Sequence, residues 1–223
     1  MKTKLFAILT VPFFLISCSR SEDTIEETPQ ETPFFNLKVG NEWIYKTYTR
    51  PDYTSEFKFS GKIDTLKIVD EVILNNKNYV RVRHSIKNNQ NYENYEYWRV
   101  NEKGHLLSLD QYLFNSGNDS EEYVKHPGKD FSYSYKQDYN LVAGYMGTIL
   151  YKLYPNETMT VENHNYTVSP YKGIFTPSNL NPVQLSKTVN SDYVENIGLI
   201  RYVNHAVTGT SNSEDRLVSY SLK

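Results

Sequence analysis

The sequence predicts a mainly β fold, a single antiparallel meander with minor helix, and three observations point there. Twenty tyrosines, with frequent Asn, Thr and Val and scarce Ala, suit a pleated backbone better than a helical one. Short runs alternating between apolar and polar residues recur through residues 34–223, a 190-residue stretch long enough for one good core. No segment sustains a helical period, and the runs are separated by short polar turns that suit consecutive hairpins.

The elements follow in order. In NEWIYKTYT, residues 41–49, Trp43, Tyr45 and Thr47 share one face and Ile44 and Tyr48 the other. In NYVRVRHSI, residues 78–86, Val80, Val82, His84 and Ile86 oppose Tyr79, Arg81, Arg83 and Ser85, the pattern of a half-buried strand. YENYEYWRV, residues 92–100, leads through an NEKG turn closed by Gly104 into HLLSLDQYLF, residues 105–114, read as one further strand. Two stretches, VILNNKNYVRV at 72–82 and MTVENHNYTVS at 159–169, each set Asn-(Lys/His)-Asn-Tyr between two alternating runs. Each reads as a tight hairpin, because Asn accepts positive φ more readily than most residues.

Later strands are expected in FSYSY (131–135), GTILYKLY (147–154), PVQLSKTV (182–189), GLIRYVNHAV (198–207) and RLVSYSL (216–222), about ten in all, with one short helix near 137–143. No repeat of fixed period supports a propeller or solenoid.

The amino-terminal end reads differently. Lys2 and Lys4 precede a 12-residue apolar run, Leu5 to Ile16, which is broken by Pro12 and too short to span a bilayer as a helix. Residues 1–17 therefore read as a signal peptide. Leu15-Ile16-Ser17-Cys18 resembles the bacterial lipobox, and that resemblance implies that Cys18, the only cysteine, is lipidated and becomes the first mature residue. A lone thiol has no disulfide partner in the chain, which agrees with that role. Acyl chains contribute about 0.8 kcal/mol per buried CH₂, so several of them would anchor the chain firmly.

Residues 18–33 are acidic, rich in Thr and Pro and nearly free of apolar side chains, the composition of a flexible tether. Their Glu22, Asp23, Glu26 and Glu27 resemble the surface-export signal of Bacteroidetes lipoproteins. The expected location is the bacterial cell envelope, at the outer membrane, with the periplasmic and surface faces both open. Without Lys2 and Lys4 the chain has 22 basic and 26 acidic residues, a formal charge of −4. That balance carries no footprint for nucleic acid.

Two motifs carry a second resemblance. PFFNLKVGNEWIY at 33–45 and YVENIGLIRY at 193–202 resemble a pair found in uncharacterised Bacteroidetes envelope lipoproteins. The resemblance implies an open, strongly curved antiparallel sheet or half-barrel and no activity.

Chemistry is sparse. The histidines His84, His105, His126, His164 and His205 are at least 20 residues apart, without metal-ligand spacing, so neither a metal nor another cofactor is expected. GTSNS at 209–213 lacks the second glycine of a nucleophile elbow. Glu96, Asp110 and Glu122 could supply paired carboxylates for a glycan-processing enzyme, but charged strand residues are more often a solvated face. Aromatic content is the remaining signal: Trp43, Tyr95, Tyr97 and Trp98 are the candidate ligand-binding residues, with Tyr95 and Tyr97 on the strand face opposite Trp98, although such rings more often stabilise a sheet whose outer face is wet.

Three functions follow. The first, which we favour, is a lipid-anchored, non-catalytic binding or structural module for a glycan, lipid or protein ligand. The second is a carrier or chaperone for a lipid or lipoprotein, and the third a glycan-processing enzyme. A dry apolar cavity would favour the carrier, an aromatic strip the binding module, and two facing carboxylates the enzyme.

Overall fold

The computed structural model describes residues 33–52, 54–141, 144–178, 187–205 and 211–223. The expected signal peptide, Cys18 and nearly all of the tether lie outside the described residues, as do most of PVQLSKTV and the Gly-Thr part of GTSNS. Residues Pro33–Lys223 form one compact unit.

Thirteen strands are found among the described residues: β1 Glu42–Arg50, β2 Lys58–Leu74, β3 Lys77–Ile86, β4 Asn89–Val100, β5 Leu106–Asp110, β6 Tyr123–His126, β7 Ser134–Leu141, β8 Gly144–Leu153, β9 Glu157–Val161, β10 His164–Pro177, β11 Lys187–Val194, β12 Gly198–His205 and β13 Asn212–Ser221. They form one antiparallel, curved and open sheet in the order β6-β5-β4-β3-β2-β1-β13-β12-β11-β10-β8-β7, with β9 folded back onto the start of β10. The expected meander is present as two runs of consecutive strands. They are joined where the first strand pairs with the last, from Glu42 opposite Ser221 to Arg50 opposite Asn212.

Hairpin chemistry explains the tightest turns. Asn75 and Asn76 (φ 49° and 62°) join β2 to β3, and Glu162 and Asn163 (φ 47° and 66°) join β9 to β10. Two consecutive positive-φ residues make the turn whose twist matches that of paired strands.

The helix lies elsewhere than expected. Residues 137–141 belong to β7, an edge strand whose Gln137 and Tyr139 pair with Ile149 and Gly147 of β8; residues 142–143 lie outside the described residues. Partnering on the sheet decides that segment over its weak local preference. The helix is instead α1, Gln111–Asn115, inside the stretch read as one strand at 105–114. Asp110 ends β5 and caps α1, its Oδ1 accepting from the Leu113 amide at 2.8 Å.

The two motifs at 33–45 and 193–202 dock onto each other. Trp43 donates its indole N–H to the Ile197 carbonyl at 2.6 Å and Tyr45 donates its hydroxyl to the Leu199 carbonyl at 2.8 Å. Asn41, fully buried, donates to the Asn36 carbonyl and accepts from the Lys223 amide, both at 2.8 Å, so it ties the chain leading into β1 to the end of β13. Gly198 (φ 111°) passes beneath the Trp43 indole, where an added Cβ would lie 3.4 Å from Nε1.

The main core fills the concave side and includes Trp43, Tyr45, Ile68, Val82, Trp98, Val168, Ile200 and Leu217. Each such apolar side chain contributes about 1.5–3 kcal/mol on burial. Curvature brings the β6 edge back against the far half of the sheet. There His126, fully buried, bonds through Nε2 to the Ser169 carbonyl at 3.0 Å and stacks on Phe34 at 5.2 Å. Phe35 and Tyr193 complete this plug edge to face, with ring centres 6.0 Å apart.

Candidate binding chamber

Beside the plug the concave face leaves a chamber of about 980 Å³. A ligand cleft is commonly about 300–1,000 Å³. One wall comes from β1 to β4 and carries Trp43, Tyr45, Leu66, His84, Glu96 and Trp98; the other comes from β7, β8 and β10 to β12 and carries Tyr135, Tyr151, Tyr171, Ser191 and Tyr202. Tyr123 and Lys125 of β6 close the side between them.

Strand parity explains why these residues point inward. Trp43 lies opposite Leu66, which lies opposite His84, so all three share the concave face. Val82 faces Glu96 and Val80 faces Trp98 in the same way. Trp43 and Trp98 stand 6.4 Å apart, ring centre to ring centre.

A charged cluster sits against Trp98. Glu96 Oε2 accepts from the Lys125 ammonium at 2.5 Å, the Trp98 indole at 2.7 Å and the Ser108 hydroxyl at 3.1 Å. Burial alone would raise the Glu96 carboxyl, but Lys125, His84 and these hydrogen bonds hold it at about 2. Burial likewise opposes the Lys125 charge, and Glu96 more than offsets it, so Lys125 stays protonated well above the usual lysine range. Its ammonium lies 4.8 Å above the Trp98 ring. His84 Nε2 is 3.6 Å from Glu96 Oε1, and burial pushes its pKa down, so this imidazole is neutral at physiological pH. Nearer the β1–β13 seam, burial raises the Asp215 carboxyl, which accepts from Thr47 at 2.6 Å. Asp64 on the same wall pairs with Lys62 at 2.6 Å.

The opposite wall is a tiling of rings. Tyr135 and Tyr151 are 6.2 Å apart, Tyr151 and Tyr171 5.7 Å, and Tyr171 and Tyr133 6.2 Å. Burial raises the pKa of Tyr133, Tyr151, Tyr171 and Tyr202, which keeps all four phenols protonated.

Of the candidate ligand-binding residues, Trp43 and Trp98 line the chamber and Tyr95 and Tyr97 stand on the outer face. Tyr97 stacks on Phe114 of α1 at 3.7 Å in a cluster with Tyr79 and Leu109, and Tyr95 lies under the Arg81 guanidinium at 5.1 Å. Cys18 lies outside the described residues.

The three carboxylates do not form one site. Glu96 is paired with Lys125 inside, and Asp110 caps α1. Glu122 bonds the Tyr79 hydroxyl and takes a bidentate grip on Arg99, with both N–O distances 2.5 Å. Among the described residues no group of three His, Cys, Asp or Glu side chains is placed to hold a metal ion.

Lys125, Tyr151 and Tyr171 were not singled out from sequence. Alternation on β8 and β10 could have paired the two tyrosines with a common face, but no local signal marks Lys125.

No protein-family model and no characterised relative matches this sequence. Two solved structures are similar in shape. One is a candidate exported protein with a YmcC-like fold from Bacteroides fragilis NCTC 9343, with a TM-score of 0.45 and 10% identity over 84% of this chain and 98% of that one. The other is a candidate lipoprotein from Parabacteroides distasonis ATCC 8503, with a TM-score of 0.44 and 11% identity over 85% and 99% of the two chains. The chamber is read from its own residues.

Proposed function

We propose that this protein is a lipid-anchored component of the bacterial envelope that binds a ligand in its concave chamber without transforming it. The observation that carries the reading is the lining: two tryptophans and a tiled tyrosine wall enclose about 980 Å³, with a pre-formed Glu96–Lys125 pair between them. Apolar ring faces with a few fixed polar groups are the usual make-up of a small-molecule site.

The other two readings fit the lining less well. A carrier of acyl chains would call for a dry apolar cavity, and this one exposes phenols, carboxylates and an ammonium. A glycosidase needs a carboxylic acid kept protonated near a second carboxylate. Glu96 and Glu122 are instead held ionised by Lys125 and Arg99, against the pull of burial, and Asp215, whose carboxyl burial raises, has Oδ1 taken by the Thr47 hydroxyl and its neighbour Asp64 paired with Lys62. The membrane address rests on Cys18 and the residues before it, and the charge balance argues for no nucleic-acid role.

Native mass spectrometry tests the binding reading. Residues 34–223, exported behind an ordinary signal and purified without detergent, should carry a small non-protein mass that is lost on mild activation. A bare domain, with no mass recovered after incubation in envelope extract, would sink the reading. A recovered phospholipid would instead favour the carrier.

A further inference from the structure

The tyrosine wall contains a geometry that composition does not require. Tyr151 of β8 and Gly173 of β10 are direct cross-strand partners on the concave face. A Cβ built on Gly173 would lie 2.4–2.9 Å from three atoms of the Tyr151 ring, so the phenol lies across the bare glycine backbone. A ring laid down in this way has one face on the sheet and turns the other into the chamber. Tyr135 and Tyr171, at 6.2 and 5.7 Å, extend the surface on either side.

The ligand that fits such a surface has apolar ring faces and polar edges. Lys125, the cationic side chain of the lining, is matched by Glu96, and Asp64 is matched by Lys62, so an anionic head group would have to break the Lys125–Glu96 pair to be bound. What the walls offer instead are neutral phenols that both donate and accept, together with Gln137 and Ser191. We propose that the ligand is a glycan segment, a chain of polyhydroxylated sugar rings, and that Tyr151, laid flat on Gly173, is the platform on which one ring stacks. The proposal rests on the binding reading above and names its ligand class. Sugar C–H faces meet the ring, and ring hydroxyls meet the surrounding donors and acceptors.

The protein carries its own reporter, because its two tryptophans are Trp43 and Trp98, and both line the chamber. The full chain in lipid nanodiscs is titrated with neutral tetrasaccharides of glucose, xylose and N-acetylglucosamine, and separately with decanoate, against empty nanodiscs. The expected result is a saturable change in tryptophan emission with at least one tetrasaccharide and none with decanoate. Tyr151→Leu and Gly173→Ala should each bind about 10-fold or more weakly, and Tyr151→Phe, which keeps the ring but loses the hydroxyl, should bind between the parent and Tyr151→Leu, with unchanged far-ultraviolet dichroism. Sugar binding that survives Tyr151→Leu overturns the platform. Saturation by decanoate with no sugar response overturns the glycan assignment and leaves the binding reading standing. Silence toward every probe also overturns the glycan assignment, and the native mass measurement then decides the binding reading by itself.

Discussion

Tyr97 and Trp98 are neighbours on β4, and the two faces they enter are built from the same materials to different ends. Outside, Tyr97 is sealed under Phe114 of α1, and Glu122 is locked to Arg99 and Tyr79. Inside, Trp98 meets Trp43 and supports the Glu96–Lys125 pair at the border of an open volume. Rings and an ion pair thus serve as covering on one face and as lining on the other. What separates the two faces is whether another element closes over them: α1 covers the outer rings, whereas the chamber stands open between its two walls.

The comparison can be broken most severely from inside. Trp43→Ala removes a buried ring and its bond to the Ile197 carbonyl, and should cost about 3–5 kcal/mol in urea unfolding. Trp43→Phe keeps the bulk and should lose about 1–3 kcal/mol for the unmatched carbonyl.

Removing one charge on each face sharpens the contrast. Glu96→Gln leaves Lys125 desolvated and unmatched, an expected loss of about 3–5 kcal/mol, and adding Lys125→Met should restore most of it. Glu122→Gln leaves Arg99 as buried as Lys125, but its guanidinium is less strongly hydrated than an ammonium and keeps the Tyr79 ring beneath it, so the same denaturation assay should show a smaller loss, about 1–3 kcal/mol.

Titration separates the chamber from its plug. His126 donates from Nε2 to Ser169 and accepts at Nδ1 from the Gly128 amide at 3.1 Å, an arrangement that a proton on Nδ1 would break. Burial lowers its pKa to about 4. The unfolded chain takes up this proton first, so stability should fall from pH about 6.5 to about 4, a slope that His126→Leu flattens. Glu96 acts in a lower window: its depressed pKa contributes stability above about 4.5, lost as pH falls toward 2, and Glu96→Gln removes that share. Chemical denaturation at stepped pH reads both windows.

The smallest effect belongs to the outer cover. Asp110→Ala removes the α1 cap and should cost about 0.5–2 kcal/mol, and hydrogen exchange should rise in α1 while the strands stay protected.

Parity was the most legible part of the sequence. Alternation alone put Trp43 and Tyr45 on one face and set Tyr97 against Trp98, because a strand's side chains alternate with period two. The β2–β3 hairpin was legible from its asparagines, although the turn sits at Asn75–Asn76 and the rest of Asn-Lys-Asn-Tyr already belongs to β3. Pairings between distant strands were not: nothing local says that β1 lies beside β13, that Gly173 comes to rest under Tyr151, or that Lys125 arrives at Glu96 from a strand 29 positions away. The helix was misplaced for a related reason. Residues 137–141 are held as a strand by β8, whereas the Asp110 cap, a local signal, was present in the sequence and lay inside a run read as continuous strand.

The seam between β1 and β13 also fixes the order of assembly. The central strand pair joins segments roughly 170 positions apart, so the middle of the sheet cannot close until nearly the whole chain is available, a pattern that slows folding. The edge strands β6 and β7, in contrast, are consecutive. A circular permutant opened between them, with the ends near Asn41 and Lys223 linked, would make every pair of neighbours sequential except β8 and β10, which β9 separates. It should reach the same sheet faster, turning the most distant pairing in the molecule into an ordinary turn.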